Sequence, residues 1–75
     1  MDFVKTLKHC QYSKHMTNEK FAEYLGKSRM WLQIIYTTNP KIKKYRLSEL
    51  TMFMLNEKLD IPMELMKEYN DNIGE

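Results

Sequence analysis

Few side chains in this sequence could carry covalent chemistry, and they do not form a set. Cys10 is the only cysteine, and the two histidines, His9 and His15, have no further ligand at metal-binding spacing. A nucleophile needs a base within hydrogen-bond reach and a third group to orient that base, and no such trio is apparent. Paired carboxylates and a glycine-rich phosphate loop are also missing from the pattern. No catalytic residue, metal or cofactor is expected, and the chain is not expected to be an enzyme. What the sequence offers instead is recognition chemistry. In "KSRMWLQIIYTT", residues 27–38, a guanidinium at Arg29 and a carboxamide at Gln33 stand one helical turn apart, with Met30 and Ile34 beside them. Four cations follow at Lys41, Lys43, Lys44 and Arg46.

Those groups need a scaffold, and the chain has 75 residues to build one. That length is one domain near the lower limit for independent folding, with little room for a deep substrate pocket beside its core. The glycines are Gly26 and Gly74, the prolines Pro40 and Pro62, and no run of alternating β-branched residues interrupts the helical spacing. The fold class expected is all-α, a small bundle of about five short helices. The first helix spans about Phe3 to Tyr12, with Phe3, Leu7 and Cys10 on its buried side. Thr17 caps a second, about Asn18 to Leu25, which buries Phe21, Ala22 and Leu25 and ends at Gly26. Ser28 caps a third that runs to about Thr37 and is closed by Asn39-Pro40. A fourth covers about Leu47 to Lys58, and Asp60-Ile61-Pro62 opens a fifth that reaches about Tyr69, leaving a flexible tail from about 71 to 75. One cysteine allows no internal disulfide, and lysines break up the N-terminal segment. A cytoplasmic protein without a signal peptide or membrane span is therefore expected.

Charge is segregated along the chain. Residues 27–46 hold six basic side chains, Lys27, Arg29, Lys41, Lys43, Lys44 and Arg46, and no acid. Residues 47–75 hold Lys58 and Lys67 against seven acids, so the net charge of +2 conceals two opposed regions. A polyanion would meet the middle of the chain.

The break at Gly26 has a physical reading. Two short helices that cross steeply need a small residue where their backbones approach, and Ala22 is one; the reversal that follows needs a residue tolerant of positive φ, and Gly26 is one. This is a helix-turn-helix signal. On a helical wheel Ser28, Trp31, Leu32, Ile35 and Tyr36 share one side of the third helix, while Arg29, Met30, Gln33, Ile34 and Thr37 take the other side or its flanks.

At these residues the sequence resembles the Cro and phage-repressor (Xre-like) helix-turn-helix family, the fold of lambda-repressor-like domains. "TNEKFAEYLGKSRMWLQII" has a polar opening, Phe21-Ala22, Leu25-Gly26, a capping serine, and apolar Leu32 and Ile35. "LSELTMFMLNEKLDIPMELM" is similar to that family's fourth helix and its approach to a fifth. Two features depart from the pattern: Lys27 stands where a small aliphatic residue is usual, and the segment from Thr37 to Arg46 is longer and more basic. The resemblance implies a regulator of transcription that binds double-stranded DNA, with the third helix in the major groove. Arg29, Met30, Gln33, Ile34 and Thr37 would then reach base edges: Gln33 pairs bidentately with adenine, Arg29 reaches guanine or phosphate, and Met30 and Ile34 pack on thymine methyls. Asn18, Lys27, Ser28, Lys41, Lys43, Lys44 and Arg46 would hold phosphates, which orient the domain without reading sequence.

Trp31, beside Leu32 and Ile35, reads as core or groove edge, and His9 and His15 as exposed helix-end residues. Of seven methionines, Met52, Met54, Met63 and Met66, with Phe53, Leu55 and Leu65, make the last two helices apolar around much of their circumference. Met52, Phe53, Met63 and Met66 would either fill a core or form the contact for a homodimer or another protein. A second function therefore stands beside the first: a small inhibitor or adaptor that keeps the helix-turn-helix architecture and captures a protein through Met30, Ile34, Met52 and Met63.

Overall fold

Capping explains where most of the helices start. In the computed structural model, which describes residues 2–73, the elements are α1 (Phe3–Ser13), α2 (Asn18–Tyr24), α3 (Arg29–Tyr36), α4 (Glu49–Leu59) and α5 (Met63–Asn72). Asp2 Oδ1 accepts the Lys5 N–H at 2.8 Å, Thr17 Oγ1 that of Lys20 at 3.2 Å, Ser28 Oγ that of Trp31 at 3.0 Å and Ser48 Oγ that of Thr51 at 3.2 Å. Each bond satisfies an amide that the helix itself leaves unpaired. Pro62 precedes α5, where its lack of an N–H costs nothing.

The helix ends are as specific as the starts. At the end of α2, Lys27 N–H donates to the Ala22 carbonyl at 2.9 Å and Gly26 N–H to that of Glu23 at 3.0 Å, with Gly26 at φ +72°. These two bonds form a Schellman turn, which needs a left-handed residue at Gly26. The same pair of bonds closes α1 through His15 (φ 56°), and Asp60 (φ 57°) ends α4 with its N–H on the Asn56 carbonyl at 2.9 Å. Lys58 of α4 donates to the Tyr24 carbonyl at 2.7 Å, placing a cation at the negative end of α2.

Phe3 and Leu7 of α1, Phe21 and Ala22 of α2, Leu25, Leu32 and Ile35 of α3, Leu47, Met52 and Leu55 of α4, Ile61, and Met66 and Tyr69 of α5 share one core. The expected all-α bundle is what forms, and no strand occurs among the described residues. Two boundaries and one burial differ from the sequence expectation. Leu47 lies before α4, because its backbone is bonded elsewhere: its N–H donates to Asn70 Oδ1 at 2.8 Å and its carbonyl accepts from Asn70 Nδ2 at 3.0 Å. α5 continues past Tyr69 through Asp71 and Asn72, positions expected in the tail; residues 74 and 75 lie outside the described residues. Cys10 sits at the core's edge, half-buried rather than within it.

The four residues left open between core and partner contact divide between the two. Met66 is fully buried and Met52 nearly so, because α4 turns Met52 and Leu55 toward α5 and the core. Met63 is half-buried, and Phe53 faces outward. No helix among the described residues is long and apolar enough to cross a membrane.

Ala22 is 1 % exposed, so an added isobutyl group has nowhere to go. Ala22→Leu should cost about 1–3 kcal/mol by overpacking. A Cβ at Gly26 would meet nothing within 4 Å, so Gly26→Ala should cost only the left-handed backbone strain, about 1–2 kcal/mol. Thermal denaturation of both variants checks this; an unchanged midpoint for Ala22→Leu would remove Ala22 from the helix crossing.

Candidate functional site

The site is built around α3, which has two unlike sides. Leu32 and Ile35 are fully buried, while Arg29, Met30 and Gln33 are exposed, Met30 to 59 %. Ile34 and Thr37 are half-buried at the flanks. The Thr37 hydroxyl accepts the Asn39 N–H at 3.2 Å, which turns that side chain toward the chain's own exit from the helix. Of the five residues expected to read bases, α3 therefore presents Arg29, Met30 and Gln33 fully and Ile34 in part, and Thr37 is engaged in the turn.

Each flank of α3 is fastened through an aromatic residue. Trp31 is half-buried with the Lys27 ammonium 5.4 Å from its ring centroid, and Lys8 lies 5.2 Å from the ring of Tyr36. The Tyr36 hydroxyl donates to Gln11 Oε1 at 2.8 Å, and Gln11 Nε2 donates to Asn18 Oδ1 at 2.7 Å and to the Met16 carbonyl at 3.1 Å. Gln11 is buried, so it joins α1, the turn after it, α2 and α3 at one polar point. The only signal for this glutamine in the sequence is its spacing, four residues after Leu7 and so on the Phe3-Leu7 side of α1.

The cations expected at phosphates separate into two groups. Lys27 Nζ donates to Thr51 Oγ1 of α4 at 2.8 Å, so this residue ties the start of α3 to α4 rather than reaching outward. Lys27 is half-buried at this position, with its ammonium on a partner. Arg46 Nη1 donates to the Asn70 carbonyl at 3.2 Å, anchoring the end of the long connection to α5. Lys44 is half-buried and lines a groove of about 270 Å³ with Asp2, Glu68 and Tyr69, among residues of α1 and α5. Lys41 and Lys43 are exposed. Asn39 organises their backbone, its Oδ1 accepting the Lys41 N–H at 2.9 Å and its carbonyl that of Ile42 at 3.1 Å. Asn18 and Ser28 are both exposed, and the Ser28 hydroxyl, although it accepts as a cap, keeps its own proton to donate.

The remaining reactive groups stay apart. Burial pushes the Cys10 thiol above its ordinary pKa, opposed by Lys14 and reinforced by Asp60, so it is protonated at neutral pH. No group of three or more His, Cys, Asp or Glu residues that could hold a metal occurs among the described residues. Exposed apolar side chains collect elsewhere: Leu50 at 80 % and Phe53 at 56 % point outward from α4. Leu50 was not singled out in the sequence, where one leucine in an apolar helix reads as core. No protein-family model, curated protein or solved structure matches the chain.

The two phenols at the ends of this framework give a test. Burial pushes Tyr69, whose hydroxyl donates to the Tyr45 carbonyl at 2.9 Å, up to about 12. Burial, with smaller contributions from Tyr12 and Cys10, raises Tyr36 as well. A phenol in the unfolded chain loses its proton near pH 10. Above that pH the unfolded state holds fewer protons than the folded one, so stability is complete below about pH 10 and falls as pH rises toward the folded values. Replacing both Tyr36 and Tyr69 with Phe should lower stability at neutral pH but flatten this alkaline decline. Equal slopes for the two proteins in denaturation midpoint against pH would contradict the assignment.

Proposed function

We propose that the chain is a sequence-specific double-stranded DNA-binding regulator of transcription, with α2 and α3 as its helix-turn-helix and α3 as the helix that enters the major groove. The observation that carries this reading is the division of α3. Leu32 and Ile35 lock it into the core, leaving a guanidinium, a carboxamide and a thioether exposed at Arg29, Gln33 and Met30. Those groups match the donor, bidentate and apolar contacts that base edges offer in the major groove. The absence of any acid from residue 27 to 46 supports it further, because an acid there would oppose approach to phosphate. Asn18, Ser28, Lys41 and Lys43 supply the backbone contacts, and the protein acts by occupying its site as a repressor or activator.

A second reading, a small protein-binding module, draws on the apolar groups in the open. Met30, Leu50 and Phe53 are all more than half exposed. On that reading Gln33 and the lysines are solvated surface, and the helix-turn-helix is architecture alone.

Selection from random duplexes, followed by salt titration of the enriched sequence, separates the two. Enrichment of a motif is expected, with Gln33→Ala losing about 1–3 kcal/mol of specific affinity and relaxing one base pair at unchanged stability. Lys41→Gln and Lys43→Gln should each weaken binding to all sequences alike and reduce the log-log salt slope by about 0.9. Lys44→Gln should leave the slope unchanged, because its side chain belongs to the groove between α1 and α5. No enrichment even at low salt would favour the protein-binding module.

A further inference from the structure

The bonding around Gln11 admits only one arrangement of protons. The Met16 carbonyl can only accept, so the Gln11 group that faces it at 3.1 Å must be the Nε2 amine. Gln11 Oε1 is then fixed toward Tyr36, 2.8 Å away, whose hydroxyl must donate. The second Nε2 hydrogen points at Asn18, 2.7 Å away, so Asn18 must turn its carbonyl oxygen inward. Its Nδ2, with two hydrogens, is left as the outward group, and Asn18 is exposed at the first position of α2. From this we infer that Gln11 is a positioning residue for the DNA contact: held by Tyr36 and the Met16 carbonyl, it sets the Asn18 carboxamide so that a donor faces a phosphate oxygen. This inference rests on the DNA-binding reading.

The physics gives the arrangement a use. A freely rotating asparagine shows an anion its amine and its carbonyl in turn, and the carbonyl repels a phosphate oxygen; fixing the amide removes that half of the population. Tyr36 lies on α3, so the same chain of hydrogen bonds joins the last turn of the proposed reading helix to a backbone contact at the start of α2. An amide donor is uncharged. It adds affinity without displacing a counterion, which separates its action from that of Lys41 and Lys43.

The test is a double-mutant cycle with the full chain and a fluorescently labelled mixed-sequence duplex. Asn18→Ala should weaken binding by about tenfold, the size of one hydrogen bond to a charged group, with no change in salt slope. Gln11→Met, which keeps the volume and removes the donor, should weaken binding by about twofold, because half of the freed Asn18 population then turns its carbonyl outward, again at constant slope. The decisive value is the double variant: if Gln11 acts through Asn18, it binds no more weakly than Asn18→Ala alone. Multiplying losses would overturn the inference and leave the DNA reading in place. Failure of the unaltered protein to bind any duplex would overturn both. Should Gln11→Met fail to fold, the unaltered protein supplies the measurement by NMR of its side-chain amides. Adding duplex should shift the Asn18 NH₂ signals while the Gln11 NH₂ protons stay protected from exchange; an unshifted Asn18 signal would overturn the inference.

Discussion

The structure depends on the shortness of α2 and α3. At seven and eight residues they fall well below the length at which a helix holds alone in water. They persist because both ends of α2 and the start of α3 are capped and because each buries a face. Thr17 and Ser28 satisfy the starts, the Schellman turn at Gly26 joins the two helices without slack, and Lys58 occupies the Tyr24 carbonyl. Removing one of these ties releases a helix that has little propensity to stand without it. The outward face of α3 is held to the body of the protein by the same closure, so its geometry is set by packing and not by the helix alone.

That closure also decides what the cations do. Six basic side chains between residues 27 and 46 read in the sequence as one electrostatic patch. Two of them serve the fold, Lys27 bridging to Thr51 and Arg46 to the Asn70 carbonyl, while Lys44 lines the groove with Asp2 and Glu68. A long side chain reaches whatever acceptor its backbone position allows, and a folded acceptor is already in place when a ligand is not. Arg29, Lys41, Lys43 and Arg46 are all exposed, and they lie on the element and the connection where the sequence led us to expect an interface.

Local features were legible in the sequence where one residue type answers one geometric demand. Thr17 and Ser28 at helix starts, Gly26 at a left-handed turn, and Leu32 and Ile35 on one face of α3 fall in this class. Gln11 and Asn70 do not. Each is a polar residue in a helix, which sequence pattern assigns to solvent, and each is buried because its partners come from distant segments: Asn70 holds both backbone groups of Leu47, and Gln11 joins Tyr36 to Asn18. α4 fails for a different reason. Apolar residues surround it, so periodicity could not say whether Met52 or Phe53 faced inward. Burial of Met52 with Leu55 settles that orientation and leaves Leu50 and Phe53 in water.

On the proposed DNA-binding reading, α3 serves two purposes with residues that scarcely overlap. Leu32, Ile35 and the hydroxyl of Tyr36 belong to the core and its polar joint, while Arg29, Met30 and Gln33 touch little of either. Substitutions distant from packed or bonded groups change stability little. The outer face is therefore free to change its side chains while the fold stays as it is. Ile34 and Thr37 lack that freedom, since one is half-buried and the other closes the turn to Asn39. Variation in recognition should accordingly concentrate on the first turn and a half of the helix, where the backbone is held by the Ser28 cap and the side chains are not.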